Sequence, residues 1–411
     1  MPAAGRGVEP RTQTLPEIQL GRVLVRILII SNLYPPEILG GYEILCEQVC
    51  LDLAERGHQI HVLTTGEDSS RPEVDRRLRL YLPFSLRARK DRLRSLLTHW
   101  SNYRQTDEVI KAVQPDVIFC WSQLRLTLGA LRAAQASNRP VLYTINDENV
   151  VSYLPSIPGR SLRSWLGWLL DHTLFRGITL LAGPLPPTTT ISCKVAENLA
   201  RQGVGLPDNR VIYQGIPIEQ FPLKEEPGAL SQPTKLLYAG QLHPYKGVHR
   251  VLEAVALVKH PVTLSVAGDG PEDYKAHLLK LAEGMDVEVT FHGRLPHSQL
   301  PALYRDHDIF IFPSIWEEPF GLTHLEAMAS GLPVISTVNG GQGEFLNHQQ
   351  NCLAIQPDDT DSIHQALERL IDEPELAASL ALAGRRTVEE RFTTGRYIDE
   401  LEELLEELAR R

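Results

Sequence analysis

Cysteine is scarce in this chain, as are most of the features that would take it out of the ordinary globular class. The five cysteines, at 46, 50, 120, 193 and 352 of 411 residues, are too few and too scattered for a disulfide framework or a paired C-x-x-C zinc site. Cys46 and Cys50 have the i, i+4 spacing of a metal pair. They also lie on the apolar stripe Tyr42, Leu45, Cys46, Val49, Cys50, Leu53, where a free cysteine packs as a small hydrophobe. No apolar run reaches the length a membrane-spanning helix needs. Residues 1–22 are polar, carry Pro2, Pro10 and Pro16, and lack the apolar centre of a signal peptide; they read as a disordered lead-in to a protein of the reducing cytoplasm. Basic residues are not in excess: 41 Lys and Arg against 51 Asp and Glu give a net charge of −10, which argues against nucleic acid as a general partner. The first glycine loop lacks G-x-G-x-x-G, so a nicotinamide dinucleotide site has little support.

What is present is an alternation of buried strands and helices. The length exceeds what one core usually supports, so two domains of about 200 residues are expected. In the first half, Val25–Ile30, Gln59–Leu63, Leu78–Leu82, Asp116–Cys120, Val141–Ile145 and Thr188–Ile191 read as strands. Helices are expected over 42–56, around 126–136 and over 162–175, the last, with Trp165 and Trp168, filling a core or the base of a mobile loop rather than meeting a membrane. Pro217, Pro222, Pro227 and Pro233 mark 217–234 as a linker. A second series follows, with strands at Lys235–Ala239, Val262–Ala267, 287–291 and Asp308–Phe312, and an acidic amphipathic helix ends the chain.

Each half places a glycine loop between a strand end and a helix start, where unpaired N–H groups and the helix dipole favour an anion. Gly40-Gly41 is either such a site or a lead-in without a ligand. Lys246, in Gly240–Gly247, stands where the dipole disfavours a cation, so it either meets an anionic ligand or is a flexible surface lysine. Asn146, Asp147 and Glu148 follow a strand end and so face the cleft of an open sheet. Arg294 is either a cleft cation or a surface residue. Arg87, Arg89, Lys90, Arg92 and Arg94, with Leu86, Leu93, Leu97 and Trp100 at helical spacing, form a basic amphipathic segment. It either lies on an anionic membrane or packs on the domain by its leucines.

Residues 313–335 combine Glu318 and Glu326 with Pro319, Phe320 and Gly321 between a strand and a helix. On helix physics alone, Glu326 forms a capping box with Thr323 and needs no ligand. The whole string, Pro-Ser-x-x-Glu-Glu-Pro-Phe-Gly-Leu-x-x-x-Glu-Ala-Met-Ala-Ser-Gly-Leu-Pro-Val, resembles the E-x7-E signature of family 4 retaining glycosyltransferases. The loop after 239 resembles that family's diphosphate loop, and Asn339–Glu344 its second glycine loop near the donor.

The resemblance implies an α/β GT-B fold: two Rossmann-like domains whose parallel sheets face a central cleft. The acceptor domain would be 23–216, the donor domain 235–393, and 394–411 a helix returning to the first domain. It implies transfer of a sugar, with retention, from a nucleotide-diphosphate sugar to an acceptor hydroxyl on a glycan, lipid or small molecule. Donor contacts would fall to Gly40, Gly41, Gln241, Lys246, Glu318, Phe320, Gly321, Leu322 and Glu326, and acceptor contacts to Asn146 and Asp147. Asp147, Lys246 and Glu318 would carry the catalysis. No Asp-x-Asp dyad stands on a strand-to-loop turn and GT-B enzymes usually work without a divalent ion, so no metal or other cofactor is expected. Asn146 replaces the family's usual His, Gln214 its Asn and Gln241 its Arg. Asn cannot act as a base, and these departures motivate an alternative, a weakly catalytic or non-catalytic sugar-nucleotide-binding subunit. A cytoplasmic protein, or one peripheral to the inner face of a membrane, is expected.

Overall fold

The computed structural model describes residues 24–67, 71–82, 91–159 and 161–411. In the first domain the strands are β1 (Arg26–Ile30), β2 (Gln59–Leu63), β3 (Val74–Asp75), β4 (Val117–Cys120), β5 (Val141–Ile145), β6 (Thr188–Thr190) and β7 (Asn209–Val211). Its helices are α1 (Gly41–Glu55), α2 (Arg92–Val113), α3 (Gly129–Ala136), α4 (Leu162–His172) and α5 (Cys193–Arg201). In the second domain the strands are β8 (Thr234–Ala239), β9 (Val262–Ala267), β10 (Glu288–Gly293), β11 (Ile309–Phe312), β12 (Val334–Thr337) and β13 (Leu353–Ile355). The helices there are α6 (Val248–Val255), α7 (Glu272–Ala282), α8 (Leu300–Arg305), α9 (Leu322–Ala329), α10 (Thr360–Asp372) and α11 (Pro374–Arg391), and α12 (Thr394–Ala409) closes the chain.

Both sheets are parallel, ordered β3-β2-β1-β4-β5-β6-β7 and β10-β9-β8-β11-β12-β13. Helices cover both faces of such a sheet, which is why β4 (VIFC) and β11 (IFIF) are apolar and buried throughout. Strand order reverses between β1 and β4 in the first sheet and between β8 and β11 in the second. Ligands of open α/β sheets bind just beyond the strand ends at such a reversal.

The chain crosses between the domains twice, and the two crossings are hydrogen-bonded. Ile216 N–H donates to the Phe392 carbonyl at 2.9 Å, and Thr394 N–H to the Ile216 carbonyl at 2.9 Å. Gly215 is required there, because a Cβ would lie 2.1 Å from the Thr393 carbonyl oxygen. Beyond this crossing, Ile398, Leu401, Leu405 and Leu408 of α12 join Ile27, Val49 and Phe119 in one face of the first domain's core. Cys46 and Cys50 lie in that core; burial, the first of several causes, holds the Cys46 thiol protonated.

Several expectations are corrected. Residues 78–82 are not a strand; Leu78 and Leu82 are buried, but the ladder partner of β2 is β3. The helix expected from 126 starts at Gly129, because Arg125 and Thr127 have positive φ. The basic segment is only partly visible: Leu86, Arg87, Arg89 and Lys90 lie outside the described residues. On α2, Leu93, Leu97 and Trp100 do not pack on the domain. Instead Asn102, bonded to the backbone of Arg79 and Leu126, fixes a face of Thr98, His99, Asn102, Thr106, Val109 and Ile110 toward the core. α4 does not fill the core either, since Trp165 is 47% exposed. Among the described residues no helix is long and apolar enough to cross a membrane.

Candidate functional site

Two cavities meet between the domains. The larger, about 670 Å³, is bounded by residues 38–48 and the 215–220 crossing on one side and by 240–246, 294–300 and 312–326 on the other. Gly40, Gly41, Gln241, Lys246, Glu318, Phe320, Gly321, Leu322 and Glu326 all line it. The smaller, about 300 Å³, lies in the first domain beyond β1, β4 and β5, with Asn146 and Asp147 in its wall. Gly40, Gly41, Tyr42 and Gln241 border both.

The 313–326 stretch runs from the end of β11 to α9. Gly321 forms the N-cap of α9 at φ 110, and a Cβ there would meet His324 Nδ1 at 2.7 Å. Any side chain is therefore strained at this turn. The expected Thr323–Glu326 capping box does not form. Glu326, 5% exposed, accepts from Tyr304 OH at 2.8 Å and lies 3.3 Å from His297 Nε2. That bond holds the His297 imidazole above its ordinary pKa despite burial. In contrast, burial pushes His324, bonded to Ser336 Oγ at 2.8 Å, down to about 3.

Lys246 ends a short turn whose next residue, Gly247, caps α6. It is not a flexible surface lysine. It is 7% exposed, and its Nζ donates to both Glu318 oxygens, at 2.6 and 2.7 Å. The Trp316 ring lies 5.1 Å from the Nζ. Ser314 donates to the same carboxylate. The dipole conflict expected for a cation here is thus answered by Glu318, which any diphosphate reaching Lys246 must displace or share.

Some glycines and rings have packing reasons that the sequence did not disclose. The Gly340-Gly341 backbone lies directly on Glu318-Pro319; a Cβ on Gly341 would stand 2.1 Å from the Pro319 carbonyl oxygen. Phe320 is 1% exposed, its ring stacked at 5.9 Å on Tyr213 beside Phe345 and Phe392. Its side chain joins the domains, which leaves its backbone for the cavity. Glu344, expected near the donor, instead accepts from Cys193 and Lys194 N–H at the start of α5 (3.0 and 2.8 Å) and from Tyr213 OH (2.9 Å). At Gly40-Gly41, open on the sequence between an anion site and a lead-in without a ligand, the Glu43 carboxylate accepts the Gly40 N–H at 2.8 Å and that of Leu39 at 3.2 Å. Arg294 is a cleft cation: it lines the larger cavity and reaches the Ile38 and Leu39 carbonyls across the domain boundary.

In the smaller cavity, Asn146 donates to the Trp121 carbonyl at 3.1 Å and accepts from Gln214 Nε2 at 3.0 Å. Two of the three departures from the family pattern are thus partners in one buried bond. Asp147 caps the 148–153 turn, accepting from Asn149 N–H at 2.8 Å. Burial raises its pKa although those bonds lower it. Tyr42 OH donates to the Asn146 carbonyl at 3.3 Å, and burial followed by the Asp147 and Glu318 carboxylates pushes its phenol up.

Tyr42, Trp121, Gln123, His297 and Tyr304 are site or supporting residues that the sequence reading missed. Trp121 and Gln123 follow the end of β4, the signal that did identify Asn146. His297 and Tyr304 carry no local signal.

Glycosyltransferase Family 4 matches residues 39–220, and Glycosyl transferases group 1 matches residues 220–387. The chain is 28% identical over 391 residues to the glycogen synthase of Mycobacterium tuberculosis (strain ATCC 25618 / H37Rv), covering 90% of this chain and 91% of that one. It is 27% identical over 337 residues to the alpha-monoglucosyldiacylglycerol synthase of Streptococcus pneumoniae (strain ATCC BAA-255 / R6), covering 77% and 71%. Anabaena Alr3699/HepE, solved in complex with UDP and glucose, superposes with a TM-score of 0.68 at 18% identity, covering 93% of this chain and 100% of that one.

Proposed function

We propose that this chain, a glycosyltransferase of GT-B fold, holds a nucleotide-diphosphate sugar in the larger cavity and transfers the sugar, with retention, to a hydroxyl entering from the smaller one. The observation that carries this reading is the meeting of the two cavities at Gly40, Gly41, Tyr42 and Gln241, with the Lys246–Glu318 pair lining the larger one.

The bond from the anomeric carbon to the diphosphate oxygen breaks and the acceptor oxygen bonds to that carbon. The acceptor proton leaves to the departing phosphate oxygen or to Asp147, whose raised pKa suits a proton acceptor better than an ordinary aspartate. Negative charge grows on the leaving diphosphate, and Lys246 is the buried cation placed to stabilise it. Gln241 supplies a neutral hydrogen bond, Glu318 meets the sugar, and Glu326 meets the ribose, held by Tyr304 and His297. No step is assigned to a metal or other cofactor.

UDP is the first nucleotide to try, since HepE is solved with it. Incubation with UDP-sugars, with and without magnesium, is expected to release UDP, and proton NMR of the product to show the donor's anomeric configuration. An inverted product contradicts retention. Nucleotide binding without hydrolysis or transfer from any nucleotide sugar favours the binding-subunit reading.

A further inference from the structure

α2 and α4 turn apolar side chains outward. Leu93, Leu97 and Trp100 on α2 and Leu162, Trp165 and Leu169 on α4 are each between 36% and 73% exposed, where a soluble surface usually scatters such residues singly. The two helices are fastened to each other. Arg92, in the first turn of α2, donates to the Gly167 carbonyl at 3.1 Å and pairs with buried Asp171 of α4. The exposed residues therefore belong to two elements fastened to each other.

Charge selects the occupant of this surface. Arg94, Arg163 and Arg176 are exposed beside it, whereas the acidic residues of 91–104 and 161–178 are Asp91, which caps α2, and Asp171, which is held by Arg92. This is a basic rim in a chain of net charge −10. An isologous contact with a second copy would set arginines against arginines. An anionic bilayer accepts both parts, taking leucine and tryptophan into its interface and arginine at its phosphates.

The chain also leads from the smaller cavity to α4. Asn149, Val150 and Tyr153 line that cavity, and the chain runs from Tyr153 through Ile157, 84% exposed, into α4. We infer that the α2–α4 face seats the protein on an anionic lipid surface and that the acceptor hydroxyl belongs to a molecule anchored in that surface. The acceptor half of this inference rests on the assignment of the smaller cavity made above.

The test is co-sedimentation of the full chain with vesicles of phosphatidylcholine alone or with about one-third phosphatidylglycerol, at low and high salt. Expected is binding to the anionic vesicles that weakens with salt. A Trp165→Glu, Leu169→Glu double variant should bind at least about tenfold more weakly while keeping the wild-type melting shift with UDP. Equal sedimentation of wild type and variant overturns the membrane face, as does wild type left in the supernatant. A concentration-dependent dimer abolished by the same substitutions assigns the face to a second copy and overturns it too. Vesicle binding with transfer only to soluble acceptors overturns the anchored acceptor alone. Loss of the UDP shift in wild type contradicts the donor-site reading and leaves the sedimentation result standing.

Discussion

Lys246 and Glu318 are each other's partner as well as the groups assigned to the donor, and their substitutions should separate binding from chemistry. Glu318→Gln removes a carboxylate that competes for the Nζ. Nucleoside diphosphate is therefore expected to bind as tightly as to wild type or tighter, while transfer falls; weaker nucleotide binding would contradict the competition. Lys246→Ala should lower the transfer rate by about 10²- to 10³-fold. It also leaves a buried carboxylate unpaired, at a cost of about 3–5 kcal/mol in stability, which chemical denaturation will read. Two histidines near α9 should titrate stability in opposite directions. His297 has a raised pKa, so its contribution is full below the ordinary histidine value of about 6.5 and is lost as pH rises through the folded value. His324 is pushed down to about 3, so its contribution is present above about 6.5 and is lost as pH falls toward that value. Melting curves across pH should show the His297→Gln deficit shrinking on the alkaline side and a flatter acid limb for His324→Gln. At this scale the sequence revealed the acidic and glycine positions, because strand-end loops have few uses for them. It did not reveal which partner each would find: the Glu344 contacts with α5 and the Tyr304–Glu326 pair join residues distant in the chain.

Among the elements, α5 ties the loop after β5 to the loop after β11. Asn198 donates to Glu148 Oε1 at 2.6 Å and to Glu317 Oε2 at 2.9 Å, next to Asp147 and Glu318 respectively, and Lys194 pairs with Glu317 at 2.9 Å. Asn198→Asp places a third carboxylate between two others. It is expected to lower kcat/KM by about tenfold or more, since hydrogen bonds to charged groups contribute about 1.5–3 kcal/mol, and to widen the molecule in X-ray scattering. Unchanged kinetics and radius of gyration would make the bridge incidental. The strands were legible because a parallel sheet buries both faces and demands continuous apolar runs. What α2 and α4 meet was not legible, because apolar residues at helical spacing say that a face exists, not that the domain is what it meets.

For the whole molecule, the paired crossings at 216 and 393–394 let α12 return to the first domain while the larger cavity spans both. The length announced two domains and the family resemblance that both are Rossmann-like, and the structure has them. The meeting of the two cavities was not in any local pattern, because it depends on how the domains face one another. The central claim is that the larger cavity holds a nucleotide-diphosphate donor. Thermal denaturation of wild type, Glu326→Ala and Lys246→Ala with UDP, GDP, ADP and CMP, with and without magnesium, tests it most directly. One nucleoside diphosphate at 100 times its dissociation constant should stabilise wild type by about 2.7 kcal/mol, indifferent to magnesium, and should leave each variant at its own unliganded melting temperature. No shift with any nucleotide, or an equal shift in all three proteins, would contradict the assignment of the donor to this cavity.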